Sequence, residues 1–273
     1  MKRQNPKAKG GSNLLRLFIF IAVIGVSYPL LFEQSSPPPQ DPVVSVPGPD
    51  LPSYATSLRD NWPPLADSAS QKADPLQMGT QMSLANYYLV LDGSGSMLEK
   101  ECADGRYKIA AAVDAVSAFA SALPANSNFG LASFVNGQTQ ELSALGSNPQ
   151  AGLARLRNLR PSGNTPLYSA VHFGYEKLSQ QARRQSGYGE YHLVVVTDGM
   201  HSPGEDPTPI LGQILSESPV VIHTIGFCIS ADHALNQPGR TYYRAATDPG
   251  SLKQGLDAVL AEAPDFQIDR FDN

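Results

Sequence analysis

The first long apolar run comes early. Leu14 to Phe32 reads LLRLFIFIAVIGVSYPLLF, nineteen residues with Arg16 as the only charge. As a helix it would extend about 28 Å, close to the roughly 30 Å hydrocarbon core of a bilayer. Lys2, Arg3, Lys7 and Lys9 precede it and Glu33 follows. The positive-inside rule therefore predicts a cytoplasmic basic tail over residues 1–13, a transmembrane signal-anchor over 14–32, and everything beyond outside the cytoplasm, periplasmic in a Gram-negative cell. Arg16 can snorkel to the interface. The competing reading is a cleaved signal peptide, with Leu17 to Ile24 as apolar core and Gly25-Val26-Ser27 as cut site. Apolar residues resume at Leu30, Leu31 and Phe32, where a cleavage region turns polar, and this favours the anchor.

Residues 33–82 lose all periodicity. Ten prolines fall between Pro37 and Pro75, with Ser, Asp and Gln between them. Such a composition buries too little apolar surface to offset the entropy of ordering, and predicts a semi-rigid linker reaching up to on the order of 150 Å. Trp62, the only tryptophan, reads as a linker aromatic, with nothing in the sequence to support its docking on a domain.

From residue 83 strands and helices alternate. Tyr87 to Leu91 is a short apolar run suited to a buried parallel strand. Ile109, Ala112, Val113, Val116, Ala120 and Leu123 then recur at helical spacing until Pro124. Strands are predicted at Phe129 to Val135 and, as an edge, near Gln140 to Leu145. Helices follow through Leu153, Leu156 and Leu159 and through Leu167, Ala170, Val171, Gly174 and Leu178. Two apolar strands, His192 to Thr197 and Val220 to Gly226, a short sixth at Thr241 to Ala246, and a last helix at Leu252 to Leu260 complete the pattern. It predicts an α/β domain over 83–262, a doubly wound, mostly parallel six-stranded sheet with helices on both faces. In such sheets a ligand sits at the carboxyl ends of the strands, at a topological switch point. The tail, 263–273, alternates Asp265, Asp269 and Asp272 with Phe266, Ile268 and Phe271. A frayed terminus is the expectation and a partner-docking peptide the alternative.

Charge narrows the function. The chain carries 20 Lys+Arg and 25 Asp+Glu; five of the basic residues lie in the first sixteen, so the rest holds 15 against 25, a net −10. That balance would repel phosphate backbones and excludes nucleic acid as the main partner. Two cysteines, Cys102 and Cys228, cannot make a four-cysteine zinc site. The five histidines show no metal-ligand spacing; His192 and His223 fall in strands and read as structural, and His201 stands three residues past Asp198, within reach of a site there.

The chemistry gathers in loops after predicted strands. The first strand runs into Asp92-Gly93-Ser94-Gly95-Ser96-Met97, the fourth ends in Thr197-Asp198-Gly199, and Thr165 precedes a helix. Asp92, Ser94, Ser96, Thr165 and Asp198 supply two carboxylates and three hydroxyls, hard donors that suit Mg²⁺ or Mn²⁺ better than zinc or copper. Spacing by two along an extended loop would turn Asp92, Ser94 and Ser96 toward one centre, with Gly93 and Gly95 allowing the tight path. A dinucleotide fingerprint fails because Leu98 stands at its third glycine. A hydrolase would use Ser94 or Ser96 with His201 and Asp206, but no G-x-S-x-G elbow is present.

At these residues the chain resembles the von Willebrand factor A domain family, bacterial members most closely. The D-x-S-x-S stretch, the separate Thr165 and Asp198 match that family's metal-ion-dependent adhesion site. The resemblance extends over about residues 83–262, including Lys108 before the first helix, FGLASF, and the TYYRAATDPGSLKQGLDAVL ending. It implies that Ser94, Ser96 and Thr165 ligate Mg²⁺ or Mn²⁺ directly or through water, with Asp92 and Asp198 inner-shell or water-mediated. A coordination position is left open for an Asp or Glu of a protein partner. The implied role is adhesion or scaffolding in the cell envelope without catalysis, and the alternative is a structural subunit whose metal only stabilises the fold. The segment Leu98 to Arg106 departs from the family in its length. In the family's strand order, strands one and five are separated by strand four, roughly 10 Å apart at their ends. A Cys102–Cys228 disulfide, permitted outside the cytoplasm, then requires that long segment to lean across.

Overall fold

The computed structural model describes residues 62–63 and 83–261. The expected anchor at 14–32, nearly all of the linker and the acidic tail lie outside the described residues. Among those described, no helix is long and apolar enough to cross a membrane.

Six strands form one sheet in the order β3-β2-β1-β4-β5-β6. They are β1 (Ala85–Asp92), β2 (Ser127–Val135), β3 (Gln138–Ser143), β4 (Glu190–Thr197), β5 (Val221–Phe227) and β6 (Tyr242–Ala246). All neighbours pair in parallel except β2 and β3, which are antiparallel. Asn136 and Gly137 join that pair with φ of 52° and 74°, the left-handed turn that suits a two-residue hairpin. This tight turn starts β3 two residues earlier than the apolar pattern suggests.

Helices cover both faces, as the alternation predicts; among the described residues there are five, one more than the pattern places. Along β1, Tyr87, Leu89 and Leu91 point to one core and Tyr88 and Val90 to the other. The first core is closed by α1 (Lys108–Ala122), α2 (Pro149–Arg157) and α5 (Pro249–Ala261), through Val116, Phe119, Leu153, Leu156, Leu252 and Leu256. The second is closed by α3 (Leu167–Arg184) and α4 (Thr208–Glu217), through Val171, Leu178, Ile210 and Ile214. Because both faces are buried, β1 and β4 read as continuous apolar runs rather than alternating ones. α1 stops at Ala122 because Leu123, extended at ψ 141°, precedes Pro124.

The sequence reading places no helix between the fourth and fifth strands, yet α4 is there. Its prolines obscured it: Pro207 is the cap and Pro209 lies in the first turn, where the missing N–H has no intrahelical partner to lose. Asp206 Oδ1 accepts from both N and Oγ1 of Thr208 at 2.9 and 2.7 Å and completes the start.

Trp62 is not a free linker aromatic. It is buried, donates from Nε1 to the Tyr175 hydroxyl at 3.1 Å, and sets its ring edge-on to Tyr191 at 4.8 Å between centroids. Pro63 lies 3.4 Å from the position a Cβ on Gly187 would take. Tyr191 is the second residue of β4, so this contact lies at the amino ends of the strands.

The two cysteines are bonded, with Cα atoms 5.7 Å apart. Ala103, fully buried in the first core, plugs the long loop into the body of the domain, and that is how the segment leans over the end of β4.

Candidate functional site

The chain leaves β1 toward β2 on one side, while β4 lies on the other. The switch point is therefore between the carboxyl ends of β1 and β4, where neither flanking crossover fills the crevice. The five candidate donors come from three loops at that place.

β1 delivers Asp92 fully buried. Its Oδ1 accepts from the Ser94 backbone N–H at 2.7 Å and its Oδ2 from the Thr197 hydroxyl at 2.6 Å. The expected extended loop is corrected here. Ser94 is extended, but Gly95–Leu98 form one 3-10 turn, which folds Ser96 back so that the two serine Oγ atoms stand 3.0 Å apart. Ser96 Oγ donates to Asp198 Oδ1 at 2.7 Å, and Lys108 Nζ donates to Asp198 Oδ2 at 3.0 Å.

Gly93 is required by close approach: a Cβ there would meet Phe134 O at 2.5 Å and the side chains of Leu159 and Val135 at 2.9 Å. Gly95 has more room, with Gly163 O at 3.6 Å as its nearest neighbour. The loop carrying Thr165 is laced to β1 by Gly95 N–H to Gly163 O at 3.0 Å and Ser162 N–H to Gly93 O at 2.9 Å. Thr165 itself is gripped by the loop after β4, donating N–H to Ser202 Oγ at 2.9 Å and accepting at O from Ser202 N–H at 3.0 Å. A Cβ on Gly199 would lie 3.6 Å from Thr165 Oγ1 and 3.8 Å from Ser96 Oγ, so both hydroxyls face the same backbone. The structure thus brings all five predicted residues to one corner.

Burial, and then the charge of Asp198, push the Asp92 carboxyl up to about 6, against the hydrogen bonds from Ser94 and Thr197 that favour its charged form. Burial also works against the charge of Lys108, but its bonds to Glu99 (2.7 Å) and Asp198 hold it above the ordinary lysine value. Among the described residues, no three His, Cys, Asp or Glu side chains gather as a metal site, so a metal here depends on the hydroxyls. The geometry fits that dependence. Two neighbouring oxygens in an octahedral shell at 2.0–2.1 Å stand about 2.8–3.0 Å apart, the spacing of Ser94 Oγ and Ser96 Oγ.

Lys108, Thr197, Ser202 and His233 join this corner without any local spacing in the sequence to mark them. His233 also reaches it, placing Nε2 3.0 Å from Gly199 O, and His201 Nδ1 lies 3.2 Å from Ser202 O. His192 and His223 are structural as expected, Nδ1 of one lying 3.2 Å from Nε2 of the other.

Comparison with known proteins agrees with this fold. The family model described as von Willebrand factor type A domain matches residues 87–201. An uncharacterized protein of Bacillus subtilis (strain 168), YwmD, is 26% identical over 170 residues, 57% of this chain and 73% of that one. The SpRpn10 VWA domain superimposes with a TM-score of 0.53 at 17% identity, covering 64% of this chain and 95% of that one. Manganese-loaded TRAP protein of Plasmodium vivax gives 0.50 at 18% identity, covering 64% and 72%.

Proposed function

We propose that this chain, whose residues 87–201 match the von Willebrand factor type A domain, binds a protein partner through Mg²⁺ or Mn²⁺ held by Asp92, Ser94, Ser96, Thr165 and Asp198, and does so outside the cytoplasm from an anchor at residues 14–32. The observation that carries this is the convergence of two carboxylates and three hydroxyls from three loops, with two of the hydroxyls at the spacing of adjacent octahedral ligands. A similar fold solved manganese-loaded supports it. When bound, the ion supplies a Lewis-acidic position for a carboxylate oxygen of the partner.

The chain's own residues do the rest. Ser94 N–H and Thr197 fix both oxygens of Asp92, and Ser96 and Lys108 fix both oxygens of Asp198. The donors are therefore oriented before an ion arrives, which lowers the entropy lost on binding. The reading is of binding rather than catalysis, and one contact supports it: the Ser96 proton is directed at a carboxylate that Lys108 also holds, and the ammonium lowers that carboxylate's strength as a base.

A second reading, a metal that only stabilises the fold, is favoured by the burial of Asp92, Ser94, Thr165 and Asp198. Thermal melts of the full chain in detergent test the metal reading. Mg²⁺ at a hundred times its Kd should stabilise the wild type by about 2.7 kcal/mol over EDTA, and Ser96→Ala should abolish most of that gain. A partner that binds equally well in EDTA would leave only the structural reading.

A further inference from the structure

The lysine that opens α1 is in an unfavourable place by every local rule. An ammonium at a helix amino terminus faces the positive end of the macrodipole, and the first turn of α1 holds no acidic residue to answer it. Lysine is also among the residues least often buried, yet the Lys108 side chain is 5% exposed. What compensates is the pair of carboxylates around it. Asp198, with its side chain fully buried, lies at 3.0 Å, and Glu99, with its side chain 57% exposed, lies at 2.7 Å. The backbone arranges this: Lys108 N–H bonds Glu99 O at 2.9 Å, closing the loop of residues 99–107 and bringing the two side chains together.

We propose that Lys108 is a built-in counter-ion of the metal centre, holding Asp198 when no divalent ion is bound and retaining Glu99 as its partner when one is. The inference rests on the metal-binding reading above. Its argument is charge. Asp92 and Asp198 bring two negative charges into one buried corner, and without a cation they repel each other. The ammonium cancels one of them and keeps Asp198 aligned with Ser96. A divalent ion then competes with Lys108 for the same carboxylate. Because Glu99 reaches the ammonium from the solvent side, Lys108 keeps an ion pair when Asp198 gives its charge to the metal. The lysine thus lowers metal affinity and, in exchange, preserves the shape of the site in its absence.

The test uses the full chain in detergent, with Mg²⁺ as the probe. Lys108→Met should lower the melting temperature more in EDTA than in excess Mg²⁺, so that its Mg²⁺-induced shift exceeds that of wild type, and Mg²⁺ should bind about tenfold more tightly or better. Lys108→Arg should behave as wild type. An equal loss with and without Mg²⁺ would make Lys108 an ordinary structural ion pair and overturn the proposal. Should Lys108→Met fail to fold in either buffer, Glu99→Gln decides. It should weaken Mg²⁺ binding several-fold more than Glu101→Gln, which removes the same charge from the same loop, and equal weakening overturns the proposal. A wild-type chain that gives no heat with Mg²⁺ or Mn²⁺ removes the metal reading itself, whereas a wild type that binds with these variants indifferent removes only the part given to Lys108.

Discussion

Two imidazoles buried in mid-sheet bear on how the molecule responds to acid. His192 and His223 bond each other and are stacked between Tyr87, at 4.7 Å, and Tyr242, at 5.1 Å. Burial lowers His192 to about 4; burial, then His192 and Arg244, lower His223 to about 3. In the unfolded chain both return to about 6.5. Between those values the unfolded chain binds more protons than the folded one, so the stability these residues confer is complete above about pH 6.5 and is lost as pH falls toward 4 and 3. Asp92 has the opposite sign: its folded value, about 6, lies above its ordinary 3.8, so its protonation stabilises the metal-free fold as pH falls through that range. The double variant His192→Gln/His223→Gln should therefore lose less stability between pH 7 and 5 than the wild type, read as melting temperatures in EDTA. An unchanged slope would mean the pair does not titrate on unfolding. At this scale Asp92, Ser94 and Ser96 were legible because their spacing is local, and Thr165 and Asp198 because each stands in a loop beside a predicted helix or strand end. The residues that orient them were not: Lys108 meets Asp198 across 90 positions and Thr197 meets Asp92 across 105, contacts that only the sheet order creates.

Elements were legible where one period dominated. β1, β4 and α3 carry long apolar patterns and lie where those patterns place them, whereas α4 was hidden by prolines that in fact begin it. Trp62 was opaque because a single aromatic in a proline-rich stretch has no periodicity to read. Its slot makes it a natural reporter. Trp62→Ala should destabilise the domain by roughly 3 kcal/mol, and in the wild type denaturant should shift the lone tryptophan's emission to the red together with the loss of circular dichroism. Emission already at the solvent-exposed wavelength in the native chain would contradict the docking. The long loop between β1 and α1 is tied to the end of β5 by the disulfide, which closes a separation of 126 residues. In the chain-entropy model such a closure contributes about 4–5 kcal/mol. Reductant should lower the melting temperature accordingly, and unfolding without reductant should release no titratable thiol; recovery of two thiols would contradict the bond.

At the scale of the domain, the candidate site and Trp62 lie at opposite ends of the sheet. The donors sit at the carboxyl ends of β1 and β4, while Trp62 docks beside the amino end of β4. Of the expected linker 33–82, Trp62 is therefore already part of the domain. The net −10 of the chain beyond residue 16 would oppose the acidic partner proposed above at a distance, and the proposal leaves selectivity to the ion at contact range. All of this turns on whether the five oxygens hold a metal. Titration of Mg²⁺ or Mn²⁺ into the EDTA-stripped, dialysed full chain by calorimetry measures that directly. One ion per chain should bind, with the heat lost in Asp92→Asn; a flat titration of a folded wild-type chain would contradict the account.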